Sequence, residues 1–407
     1  MLTGMGLVAG SLLLVTGATT TNSAPEWNQW LGGSGRQLTV PNIPAKSTAP
    51  EIQERWRRSL GSGFAGISIW GDQAVTAMTD GKQDVAVLLD TATGAERWRF
   101  PLDRTRKRAE GVPLGPLSTP ALDGEACYVQ GLDGRFVCLG RAAGDVRWEV
   151  NLKRAFQAHE PGYGFASSPL LTEDLVILLP AGSSSSAIVA LNRATGTLRW
   201  RASLGTSTEY ASATLAGLPG AAQVVAQLGE KLVGVSAADG RVLWEIKEAG
   251  GGLWTPSVLN SGEVFFPGSG RTLLADLSSA PPRQVWSSPV FEGVMGPVVE
   301  LHGQLIGYHQ RRLTGLDVAT GNQLWQRAEE SDGQLLSYGP WLIHFHDRTG
   351  ILEICSVDRT GLKVCGRQSV CHPTRSETPL TFSQGVLYLR LPEELVALKL
   401  DPLVGTN

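Results

Sequence analysis

No stretch of this 407-residue chain approaches the roughly 20 consecutive apolar residues that a membrane-spanning helix needs, which excludes an integral helical membrane protein. Charged residues are scarce, at 18% against a usual proportion of about 25%. The few charges nearly cancel, and a net charge of −3 leaves no basic footprint for nucleic acid. No Lys or Arg precedes Arg36, and no two of the five cysteines are adjacent. Glycine is in surplus, with 49 residues in the chain against a usual proportion of about 7%, as in turn-rich proteins. Hydrophobic residues, at 42%, supply the apolar surface for a large core.

An apolar run from Gly6 to Val15 has the size of a signal-peptide core, although the basic residues that normally precede one are missing. Residues 1–24 therefore read as an export signal with Ala18 the favoured cleavage point, 25–50 as an extended lead segment and 51–402 as one domain. The cysteines suggest a hairpin staple. Cys127 and Cys138 flank Gly131-Leu132-Asp133-Gly134, and a four-residue turn there would set them opposite each other; a disulfide is geometrically reasonable, with two buried thiols the alternative. Cys355, Cys365, Cys371 and His372 have spacings that match no common zinc finger or ribbon.

A repeat dominates the rest. Leu89-Asp90-Thr91-Ala92-Thr93-Gly94-Ala95-Glu96-Arg97-Trp98 recurs as Leu191–Trp200 and Leu316–Trp325, each with Gly four residues before Trp (Gly94, Gly196, Gly321). Weaker copies end at Trp148 after Gly144 and at Trp244 after Gly240; Trp286 ends a copy without the Gly, and Trp56 lies in a similar strand-end context. From Trp56 the steps are 42, 50, 52, 44, 42 and 39 residues, and a further 40 reaches Cys365. About 20 residues after each Trp, a polar loop, often Ser/Thr-Pro as at Ser118-Thr119-Pro120 and Ser167-Ser168-Pro169, opens into a short apolar strand. Four short strands per unit, with no helical period, describe a propeller blade.

The spacing has a physical reading. Asp or Asn caps a tight turn, Gly supplies positive φ, and Trp ends on the outer strand with its indole flat between neighbouring sheets. Residues 366–400 carry three strands and lack a Trp strand, while Trp56 lacks three strands before it. The expectation is an all-β, eight-bladed propeller of four antiparallel strands per blade, closed by the strand around Trp56.

This repeat resembles the pyrroloquinoline-quinone-like (PQQ-like) family, and Trp27-Asn28-Gln29-Trp30-Leu31-Gly32-Gly33 is similar to the lead segment of its exported bacterial members. The resemblance implies one of two roles. Quinoprotein dehydrogenases hold PQQ against an adjacent Cys pair with Ca²⁺ bound by Glu, Asn and Asp; relatives of outer-membrane protein assembly factor B are non-enzymatic. Without an adjacent Cys pair, the expectation is a monomeric, non-catalytic scaffold in the periplasm or envelope, bound to a protein partner and to no nucleic acid. It needs no cofactor, PQQ and Ca²⁺ belonging to the dehydrogenase alternative. A small-ligand or sugar-binding propeller is a further alternative. Candidate ligand residues lie in the loops before the first strands, namely His159 with Glu160, Tyr163, Glu209, Tyr210, Trp254 and Glu377 beside Arg375.

Overall fold

The computed structural model describes residues 27 to 401 except 34–37, 41–47, 106–114, 184–186, 219–220, 248–254, 260–261, 269, 280, 292–297, 330–331, 374–375 and 377. The segment read as an export signal lies outside these, as do Trp254, Arg375 and Glu377.

Eight antiparallel sheets form the propeller. In the first blade the strands run outward from the axis as Ser68–Trp70, Gln73–Thr79, Gln83–Asp90 and Glu96–Arg104. Six more blades repeat this order. The eighth takes Thr381–Ser383, Val386–Leu391 and Glu394–Asp401 from one part of the chain and its outer strand, Glu51–Ser59, from another. Trp56 pairs with Ala397 and Arg57 with Val396, so the strand shortages at the two ends fill each other. Closure of the ring leaves no blade with a missing edge strand.

The repeat motif builds the seams. Asp90 caps its turn by accepting from the amides of Ala92 (3.0 Å) and Thr93 (2.9 Å), and Asn192 does the same for Ala194 and Thr195. The Trp of each preceding blade then reaches across. Trp56 Nε1 donates to Thr91 O (2.9 Å), Trp98 to Arg141 O (2.8 Å), Trp148 to Arg193 O (3.0 Å), Trp200 to Ala237 O (3.1 Å) and Trp286 to Val318 O (2.7 Å). Each ring lies on the turn glycine: Gly94 under Trp56, Gly144 under Trp98, Gly196 under Trp148, Gly240 under Trp200 and Gly321 under Trp286.

Trp244 and Trp325 depart from the expected docking. The hairpin after Trp244 lacks a glycine, and the one after Trp325 turns directly from Asp358 to Gly361, so neither offers the usual platform. Both rings fold over their own blades, against Gly234 and Gly315, and donate to Gln223 Oε1 (2.7 Å) and Gln304 Oε1 (2.8 Å). Gln304 passes the contact on through Nε2 to Asp358 O (3.2 Å) in the next blade. Both Trp remain buried.

The Cys127–Cys138 staple is corrected by register. Gln130 pairs with Phe136, so five residues connect the strands, and Cys127 faces Leu139 while Tyr128 faces Cys138. A one-residue offset sends the two thiols to opposite faces of the sheet. Each is free and buried in a different core cluster, and burial pushes Cys138 up to about 12.

Candidate functional site at the propeller axis

The Ser/Thr-Pro markers have a structural role beyond phase. At Thr119, Ser168 and Thr255 the following proline holds the residue extended, and these hydroxyls, with that of Ser212, cap the amide of the counterpart one blade back. Thr119 accepts from Gly66 N (2.8 Å), Ser168 from Thr119 N (3.0 Å), Ser212 from Ser168 N (2.9 Å) and Thr255 from Ser212 N (3.1 Å). This ladder ties five consecutive blades at the ends where the chain enters their innermost strands. Ser118 and Ser167 add donations to Ser167 O (3.1 Å) and Ala211 O (2.7 Å).

At the opposite ends of these strands the chain fills its own axis. The amides of Ile69, Leu122 and Leu171, in the innermost strands of the first three blades, donate to Trp27 O (2.7 Å), Asn28 O (2.9 Å) and Gln29 Oε1 (2.7 Å). Thr39–Val40 then pairs in parallel with Ser337–Tyr338 and becomes a fifth, axial strand on the seventh blade. Trp27, Gln29, Leu38 and Val40 are all buried. The lead segment therefore covers inner edges that a propeller otherwise leaves unpaired.

The described candidate ligand residues stand at the ladder end, and only some come together. His159 spends its amide on Ala181 O (2.8 Å) and sets Nδ1 3.3 Å from Gly182 O. Glu160 is held by Lys153 (2.6 Å). Tyr163 and Tyr210 form a ring pair 5.8 Å apart, with Tyr210 Oη accepting from Tyr163 N (3.2 Å), and Glu209 is exposed beside them. The grouping is an aromatic surface patch.

Two features escaped the sequence reading. A cleft of about 680 Å³ between the seventh and eighth blades is lined by Arg57, Cys371, His372 and Glu394 among others. Burial pushes Cys371 up to about 11, which leaves a thiol rather than an activated nucleophile. The second is a charged cluster between the sixth and seventh blades, made by Arg327, Glu329, His344, His346 and Glu353. Burial pushes His344 down to about 4; Glu353 is buried too, but His344, His346 and Arg327 outweigh that and hold its carboxyl well below the usual range. The available signal was His344-Phe345-His346, whose alternation in a strand puts both imidazoles on one face.

The comparisons agree with this architecture. The crystal structure of BamB from Moraxella catarrhalis superposes with a TM-score of 0.64 at 15% identity, covering 86% of this chain and 100% of that one. Quinohemoprotein alcohol dehydrogenase from Comamonas testosteroni gives 0.66 at 12% identity, covering 92% and 80%. The alcohol dehydrogenase ADHIIG of Pseudomonas putida HK5 gives 0.65 at 13%, covering 95% and 81%. At such identities the likeness is one of fold. No curated protein sequence matches the chain. The family model described as outer membrane protein assembly factor BamB matches residues 81–327 and 247–349, and by its repeats, its Trp seams and its eight closed blades the chain belongs to that PQQ-like propeller family.

Proposed function

We propose that this protein is a non-catalytic interaction scaffold of the bacterial cell envelope, carried by the rigid ring and working through its loop surfaces. The observation behind this reading is how the polar groups of the axis are used. The hydroxyls of Thr119, Ser168, Ser212 and Thr255 are committed to neighbouring blades, and the inner edges of four blades are taken by the lead segment. A quinone with Ca²⁺ needs a different environment, with about six to eight oxygen ligands for the ion. Among the described candidates, the two carboxylates near the ladder end are turned to other tasks, Glu160 to Lys153 and Glu209 to solvent. None of the cysteines has an adjacent partner.

The test has two arms. Calorimetric titration with PQQ and Ca²⁺ is expected to show no saturable binding, and an artificial electron acceptor is expected to stay oxidised when alcohols or sugars are supplied. In the other arm, cross-linking in envelope extract followed by affinity capture is expected to retain a stoichiometric protein partner. Submicromolar quinone binding with dye reduction would instead support the dehydrogenase reading.

A further inference from the structure

We propose that Glu329, His344 and His346 form a binding site for one divalent transition-metal ion of the class that takes imidazole and carboxylate ligands, such as Zn²⁺, at the seam between the sixth and seventh blades. Strand Trp341–His346 supplies both imidazoles from alternate positions, with ring centroids 3.8 Å apart. Glu329 follows the outer strand Gln323–Ala328 of the sixth blade, so the ligands come from two blades. One ligand atom from each of the three residues lies within 4.8 Å of the others. An ion bound at about 2.0–2.2 Å from each donor sets tetrahedral donors about 3.4 Å apart, so the widest pair closes by up to about 1.4 Å on binding. Glu353, opposite His344 on the adjacent strand, stands ready as a fourth ligand or as a partner to one.

The site lies out of water, with His344 fully buried, His346 9% exposed, and the side chains of Glu329 and Glu353 at 6% and 7%. A cation already occupies its middle. The Arg327 guanidinium bonds Glu329, Glu353 Oε2 (3.1 Å) and His344 Nδ1 (3.2 Å). A guanidinium only donates, so His344 Nδ1 presents a lone pair to the centre and Nε2 carries the proton toward Tyr308 Oη. That is the tautomer, with an outer hydrogen-bond partner, found in metal-binding histidines. His346 reaches both carboxylates, with Nδ1 3.7 Å from Glu329 and Nε2 3.1 Å from Glu353, yet its buried Nε2 completes no hydrogen bond among the described residues.

With both imidazoles neutral, two carboxylates against one central guanidinium leave an excess of negative charge in the seam. Arg367, 3.6 Å from Glu353 and 60% exposed, offsets little of it. Arg327 has a path outward, since its side chain is 29% exposed. In its place a metal ion satisfies His346 as well as the groups Arg327 now holds.

Full-length protein stripped with chelator and titrated with Co²⁺ is expected to develop the visible bands of a nitrogen-ligated, low-coordinate ion at one equivalent, and Zn²⁺ to displace it. His346→Gln and Glu329→Gln are each expected to weaken binding at least about tenfold. Arg327→Gln, which removes the competing cation, is expected to strengthen it. A Zn²⁺-dependent rise in melting temperature seen in the wild type and lost in Glu329→Gln provides a second readout if the histidine variant folds poorly. The proposal fails if the wild type shows no saturable Co²⁺ spectrum, or if binding survives unchanged in both ligand variants.

Discussion

Each repeat glycine meets two demands, a turn with φ near +70° and a bare surface for the preceding blade's indole. A Cβ on Gly196, at φ +70°, would fall 2.6 Å from the Trp148 ring. Gly196→Ala is therefore expected to cost about 2–3 kcal/mol, combining left-handed backbone strain with a displaced Trp. Gly217, whose Cβ direction is open, is the control, and Gly217→Ala should stay within about 0.5 kcal/mol. Urea unfolding midpoints of the two variants decide it. The cap residue adds a pH dependence. Arg97 draws the Asp90 pKa from 3.8 to about 2 against slight burial, with Thr93 assisting. A depressed carboxylate stabilises the fold above its unfolded pKa and loses that contribution as pH falls through its folded pKa. Asp90→Asn keeps the turn bonds, as Asn192 does in its own blade, and gives up the Arg97 pair. The stability gap between wild type and Asp90→Asn should thus be full above pH 4 and close between about pH 4 and 2 in acid-titrated unfolding.

At the scale of elements, the lead segment behaves as an internal ligand for the inner strands. Gln29 is the test point, because its Oε1 is the acceptor for the buried Leu171 amide. Gln29→Ala leaves that amide unpaired and is expected to cost about 1–3 kcal/mol, with faster hydrogen exchange at Leu171 and at its neighbours in the third blade. An unchanged exchange rate would mean the segment is not seated as described. Much of this architecture was legible in sequence, because a Gly–Trp spacing of four repeated in register admits few sheets. The lead segment's seat was not, since Trp27-Asn28-Gln29 resembles a lead segment without saying where it docks until three separate blades present their amides to it. The choice between a Cys127–Cys138 disulfide and two buried thiols has an equally local origin, one extra residue in a hairpin, which selects the thiols. The destination of each Trp was also hidden. In retrospect Gly ten and Gln 21 residues before Trp244 and Trp325 mark the two rings that turn back on their own blades. The His344–His346 cluster depends on a neighbouring blade for Arg327 and Glu329, which no spacing within one repeat reveals.

The whole molecule depends on one non-covalent closure. Strand Glu51–Ser59 reaches Glu394–Asp401 from the other end of the chain, and side chains reinforce the join: Arg57 bridges Glu394 (2.7 Å) and Val370 O (2.6 Å). Arg390, 2% exposed, donates across the closure to Gly61 O (2.6 Å), and burial pushes its pKa down to about 10. Every other blade draws its four strands from one continuous stretch of chain, so unfolding that begins by peeling this strand opens the ring at its weakest topological point. A covalent clamp tests that. Gln53 and Lys399 are exposed and face each other in the pairing, which makes Gln53→Cys with Lys399→Cys a suitable cross-link position. Closing so long a loop is expected to add about 5–6 kcal/mol by the chain-entropy argument, less any strain. The oxidised double variant should melt well above the same protein kept reduced, and should resist proteolysis around residues 51–59. Equal melting of the two forms would place the first opening step at another seam.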